Sequence, residues 1–131
     1  MVQSQLAKMA AAKILIVDDD QDIRQLLGHR LKAQGYQAVF ASDAISAVNQ
    51  ARHERPDLIL LDLSLPAGDG YVVIERMRAM PALEGIPVII VSARDPLAEE
   101  QRFIDSGADA FFRKPFDHEE LLTAIGRALG S

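Results

Sequence analysis

Leu58-Ile59-Leu60-Leu61 is apolar at every position and runs into a single carboxylate, Asp62, before the turn Pro66-Ala67-Gly68-Asp69-Gly70. A strand with one wet face alternates apolar and polar residues, so a run with no polar member suits a strand covered on both faces of a sheet. Lys13-Ile14-Leu15-Ile16-Val17 and Pro87-Val88-Ile89-Ile90-Val91 have the same character. Such strands need helices on both sides, and the stretches between them supply these. Ile23, Leu26, Leu27 and Leu31 share one helix face, with Asp20 as N-cap and Gly35 at the C′ position. Ala44, Ala47, Val48 and Ala51 form a small-residue stripe on a second helix, capped by Ser42 or Asp43. A third, roughly Tyr71 to Met80, packs through Val73, Ile74 and Met77 and stops at Pro81. A fourth, about Leu97 to Ser106, carries Leu97 and Ile104 and ends at Gly107. In the last, Asp117 and Glu120 make a capping box, and Leu121, Leu122, Ile125 and Leu129 are the buried side. Gln37–Phe40 and Ala110–Arg113 complete an alternation of five strands with five helices. That order predicts an α/β domain with a parallel sheet between two helical layers and right-handed crossovers. Residues 1–12 have no sustained pattern and read as an N-terminal extension to one domain over 13–130.

Composition narrows the function classes. A net charge of −5 disfavours direct binding of nucleic acid, which needs a basic face. No apolar run approaches the roughly 20 residues of a membrane span, and the first residues lack the apolar core of a secretory signal. With no Cys there is no disulfide, thiolate metal site or Cys nucleophile. A cytoplasmic location is the expectation.

The polar residues that interrupt the apolar strands fall at strand C-terminal ends: Asp18, Asp19, Asp62, Ser92 and Lys114. In an open parallel sheet those ends share one edge, where ligands bind. Two like charges ~4 Å apart cost on the order of 4 kcal/mol at an effective dielectric of about 20, so three carboxylates together call for a cation. Without Cys, and with no His predicted on this edge, a hard oxygen-seeking ion is favoured over zinc, and magnesium fits best. A carboxylate beside magnesium, a lysine and a hydroxyl is equipped for in-line phosphoryl transfer, with Asp62 as nucleophile, Lys114 and the ion neutralising oxygens, and Ser92 donating a hydrogen bond. Asp20 serves better as a cap than as a ligand, Asp69 as a helix-start residue, and His29, His53 and His118 as solvated helix positions. Arg102 and Phe103 belong either to a partner face or to an ordinary amphipathic helix.

Five segments carry a resemblance: Ile14–Asp20, Asp62–Gly70, Val91-Ser92-Ala93, Gly107–Ala110 and Lys114-Pro115-Phe116. In order and spacing the chain resembles the receiver domain of bacterial two-component response regulators. The resemblance implies a flavodoxin-like three-layer doubly wound sandwich with strand order 2-1-3-4-5. It makes Asp62 the phospho-acceptor and Asp18, Asp19, Asp62 and the Ser64 backbone carbonyl the magnesium ligands, Asp18 through water; manganese is a possible substitute. Ser92 and Phe111 match the switch pair, Lys114 the family's lysine with a cis bond to Pro115, and Ser64 and Arg94 the positions that tune dephosphorylation. A histidine kinase or histidine phosphotransfer protein is the implied donor. The implied output is a partner or output domain engaged through the fourth helix, fifth strand and fifth helix, in a switch rather than an enzyme. Phe111 lacks the hydroxyl of members with Tyr, which implies a less strongly favoured inactive state. Three alternatives stay open. One is a haloacid-dehalogenase-like phosphatase using Asp18, although Asp22 stands where that family has Thr or Val. Another is a flavin binder, although three carboxylates would repel the flavin phosphate. The third is a receiver-like interaction module that is never phosphorylated.

Overall fold

The computed structural model describes residues 12–130, so the expected extension lies outside the described residues except for Ala12, whose carbonyl accepts the Gln37 amide at 2.9 Å. Five strands alternate with five helices: β1 (Lys13–Val17), α1 (Gln21–Ala33), β2 (Gln37–Ala41), α2 (Ala44–Glu54), β3 (Leu58–Leu61), α3 (Gly70–Arg78), β4 (Val88–Ser92), α4 (Pro96–Ser106), β5 (Ala110–Arg113) and α5 (His118–Ala128). All strand pairs are parallel and the order is β2-β1-β3-β4-β5, the doubly wound arrangement expected.

Every residue of β3 is buried, and its side chains divide between two cores. Ile59 and Leu61 join Leu15, Val17, Val88 and Ile90 beneath α2 and α3. Leu58 and Leu60 join Ile14, Ile16, Ile89 and Val91 beneath α1 and α5. Truncating one such leucine to alanine costs about 2–5 kcal/mol; the sheet is therefore a stiff mount for whatever its C-terminal edge carries.

The caps follow the sequence closely. The Asp20 carboxylate accepts the Asp22 and Ile23 amides. Asp43, rather than Ser42, caps α2, in a reciprocal box with Ser46. Asp69 accepts the Tyr71 amide at the start of α3. Asp117 accepts the Glu120 amide at 3.0 Å, the Asp117 half of the expected box.

Several expectations need correction. Leu26 is 44% exposed, because α1 buries Leu27, Gly28 and Leu31 instead. A Cβ at Gly28 would meet the Phe40 ring at 2.7 Å, so the helix leans on β2 through its glycine and turns Leu26 outward. Leu97 and Ile104 are 80% and 60% exposed. It is Phe103 that faces inward on α4, edge-on to Phe111 with centroids 6.2 Å apart. Leu122 and Leu129 are half-buried at the margin of their cluster, while Leu121 and Ile125 are its buried members.

His29 and His53 are exposed as expected, but His118 is not solvated. Its ring is half-buried beside Phe116, and its Nε2 is buried with no hydrogen-bond partner among the described residues. Burial first, and then the charge of Arg30, hold its pKa below the ordinary value; a cation at a helix N-terminus is also disfavoured. A depressed folded value means that the unfolded chain binds the proton more readily. The stability from neutral His118 is thus present above its unfolded pKa of about 6.5 and is lost as pH falls through the depressed folded value. We expect His118→Phe to flatten the stability profile between pH 7 and 5, measured by urea melts; an unchanged slope would rule this out.

Candidate functional site

The C-terminal edge of the sheet gathers groups that are far apart in the chain. Asp18 follows β1 and is 3% exposed; Asp62 follows β3 and is 6% exposed. Asp19, beside Asp18, is exposed. The three offer carboxylate oxygens that all lie within 4.8 Å of one another.

Into this cluster β5 delivers Lys114. Its Nζ donates to Asp18 Oδ2 at 2.6 Å and to Asp62 Oδ2 at 3.4 Å. Its backbone amide is anchored on the Ser92 carbonyl at 2.8 Å, and its bond to Pro115 is cis. The remaining oxygens are held by the backbone: Asp18 Oδ1 accepts the Asp20 amide at 2.9 Å, and Asp62 Oδ1 accepts the Ser64 amide at 3.3 Å. Burial outweighs these contacts at Asp18 and pushes its carboxyl pKa up. At Lys114 burial opposes the charge, but the bond to Asp18 and the fields of both carboxylates outweigh it and raise the pKa.

Three carboxylates and one ammonium leave two negative charges when all are ionised, which is what a divalent cation would neutralise. The donor set is all oxygen, so it fits magnesium or manganese rather than zinc. Asp18, Asp19 and Asp62 are placed to hold such an ion.

Ser92 ends β4 wholly buried, and its Oγ accepts the Arg94 amide at 3.2 Å. Phe111, half-buried on β5, pairs with Ile90 in the sheet and packs into the core beneath α2 and α3. Ser64 is exposed on the turn after Asp62. Arg94 reaches over to it: Nε donates to Ser64 Oγ at 3.1 Å.

The family profile of the response regulator receiver domain matches residues 14–126. The chain belongs to the receiver-domain family. Among curated relatives of this receiver domain, the phosphate regulon transcriptional regulatory protein PhoB of Escherichia coli (strain K12) is 39% identical over 115 residues, which span 88% of this chain and 50% of that protein. The DNA-binding dual master transcriptional regulator RpaA of Synechocystis is 41% identical over 117 residues, spanning 89% of this chain and 48% of that protein. The chain thus spans about half the length of the curated relatives it matches. Among solved structures, the receiver domain of the sensor histidine kinase PA1611 of Pseudomonas aeruginosa superposes with a TM-score of 0.84 at 30% identity, covering 92% of this chain and 99% of that one. That protein is described with a magnesium ion coordinated in its active-site cleft. Chemotaxis protein CheY4 of Vibrio cholerae gives a TM-score of 0.84 at 30% identity, covering 90% and 98%.

Three residues of this receiver domain's edge escaped the sequence. Glu99, on α4, is buried and bonds Arg94 at 2.8 Å. Asp69, expected only as a helix-start residue, also ion-pairs with Arg94 at 3.0 Å. Arg24 donates to the Asp18 carbonyl at 2.7 Å. An acidic residue five positions after Arg94 was a visible signal, but a charge on an amphipathic helix is ordinarily solvated. Arg102 is exposed but lies over the Tyr71 ring at 4.3 Å and 3.6 Å from Asp69, while Phe103 is half-buried and packs against the core.

Proposed function

We propose that this chain is a phosphorylation-dependent signalling switch with Asp62 as acceptor. The observation that carries this is the Lys114 ammonium bridging Asp18 and Asp62 within the acidic cluster. A phosphohistidine of a histidine kinase or phosphotransfer protein is the donor. An Asp62 oxygen attacks phosphorus, the phosphorus–nitrogen bond breaks, and the imidazole leaves. Lys114 follows the developing charge because it already contacts Asp62 Oδ2.

Asp18, Asp19, Asp62 and the Ser64 carbonyl would hold Mg2+, or Mn2+ in its place; when bound, the ion supplies positive charge to the phosphoryl oxygens. The Ser92 hydroxyl accepts the Arg94 amide but has its own proton to give; it turns to a phosphoryl oxygen and draws the β4–α4 connection after it. Phe111, packed edge-on against Phe103, repacks, and the surface of α4, β5 and α5 changes for a downstream partner or output domain. Ser64 and Arg94 tune the return reaction. The only chemistry is acceptance and slow self-dephosphorylation, and the location is the cytoplasm; among the described residues no helix is long and apolar enough to cross a membrane. DNA binding is named for the whole relative RpaA, of which the matched 117 residues are 48%; this acidic chain is not proposed to contact nucleic acid itself.

Phosphoramidate with Mg2+ tests the acceptor. The expected result is a gain of one phosphoryl mass that vanishes in Asp62→Asn. A label on Asp18, or repeated turnover of a phosphomonoester, would favour a phosphatase. No label at all would leave an interaction module.

A further inference from the structure

Glu99 is a buried carboxylate, 8% exposed, on a helix whose Leu97 and Ile104 face solvent. A carboxylate is seldom buried unless it is paired, and among the described residues its one ion pair is with Arg94. The Arg94 side chain holds four partners: Glu99 at 2.8 Å, Asp69 at 3.0 Å, Ser64 Oγ at 3.1 Å and the Leu63 carbonyl at 3.4 Å. The guanidinium therefore spans from the β4–α4 connection to the β3–α3 turn, the turn that leaves Asp62. Asp69 is shared, since it also caps α3 and lies near Arg102. Glu99 is committed to Arg94.

We propose that Glu99 is a positioning residue that holds Arg94 as a cover beside the acceptor, and that this cover sets how long the acyl phosphate on Asp62 survives. This rests on Asp62 being the acceptor. In the hydrolysis a water oxygen attacks phosphorus, the bond from phosphorus to the Asp62 oxygen breaks, the water proton passes to solvent, and aspartate and inorganic phosphate remain. A guanidinium is never deprotonated in a protein, so Arg94 cannot serve as a base for that water. Tied across the turn by four groups, it can only occupy space and fix Ser64.

The experiment measures the lifetime of the phosphorylated protein by intact mass after removal of phosphoramidate, in wild type, Glu99→Gln, Arg94→Ala and the double variant. Glu99→Gln and Arg94→Ala should each shorten the lifetime about ten-fold, equivalent to about 1.4 kcal/mol in the barrier. The double variant should be no faster than Arg94→Ala alone. In the unphosphorylated protein the Arg94 Nε–H resonance should lose its protection from solvent exchange in Glu99→Gln, and Glu99→Asp should recover part of it. An unchanged lifetime in Glu99→Gln, or effects that multiply in the double variant, would overturn the proposal. Wild-type protein that takes no label would instead overturn the acceptor assignment beneath it. Circular-dichroism melts confirm that each variant is folded before its lifetime is read.

Discussion

Lys114→Met should lower the stability of the metal-free protein by about 3 kcal/mol, at the low end for breaking a buried ion pair. Methionine keeps most of the apolar stem, so packing changes little and the loss is electrostatic. What remains is Asp18 and Asp62, 3% and 6% exposed, facing each other without the ammonium that now contacts both. The lower end is appropriate because the Lys114 side chain is 20% exposed and water can partly screen the carboxylates in its place. Urea melts without divalent cation check this, and an unchanged midpoint would sink it. Added Mg2+ should then stabilise the variant more than it stabilises wild type, since the cluster carries one more uncompensated charge. Phosphoryl acceptance should fall by about 100-fold or more, the usual cost of removing one group that meets developing charge.

Gly70→Ala should be as damaging without touching a charge. A Cβ on Gly70 would stand 2.5 Å from the Asp62 carbonyl oxygen and 2.8 Å from Leu63 Cα. Both are backbone atoms of the Asp62-Leu63 segment, and neither can swing aside as a side-chain tip could. The Gly70 amide also donates to the Leu63 carbonyl at 2.8 Å, which pins the first residue of α3 on the exit of β3. Making room means lifting α3 or displacing Asp62. A loss of about 3 kcal/mol is expected, the upper part of the range for overpacking. Gly85→Ala is the control: nothing lies within 4 Å of a Cβ there, so its effect should stay within about 0.5 kcal/mol. Equal midpoints for the two variants would contradict the close approach at Gly70.

Much of this architecture was legible because the strands are short, apolar and interrupted by charge at one end. Buried parallel strands leave no choice of face, so Leu58–Leu61 and Val88–Val91 could be placed without knowing their neighbours. The alignment of strand ends then brought Asp18, Asp62, Ser92 and Lys114 together before any coordinates did. What failed was the assignment of sides. Leu97 and Ile104 are seven apart and mark a helical stripe, but periodicity does not say which side of a helix a sheet covers. Leu26 fell outside the core because a glycine two residues on lets α1 approach Phe40, a contact set by β2 and not by α1 itself. His118 was misplaced and Glu99 overlooked for one reason. A polar residue on a helix is counted as solvated until its tertiary neighbours are known, and those neighbours, Phe116 and Arg94, lie on connecting loops.

The bond between Lys114 and Asp18 joins residues 96 positions apart. Both carboxylates precede their counter-charge in the chain, and Lys114 follows β5, an edge strand whose one neighbour is β4. Under the proposed function, a chain halted on the ribosome before residue 114, or clipped there by a protease, keeps Asp62 but has no ammonium to meet the phosphoryl charge. Under that proposal, competence to be phosphorylated also reports that β5 is docked. A kinase that selects by reactivity alone would then favour molecules in which β5 and Lys114 are in place over copies in which that edge is missing or unfolded.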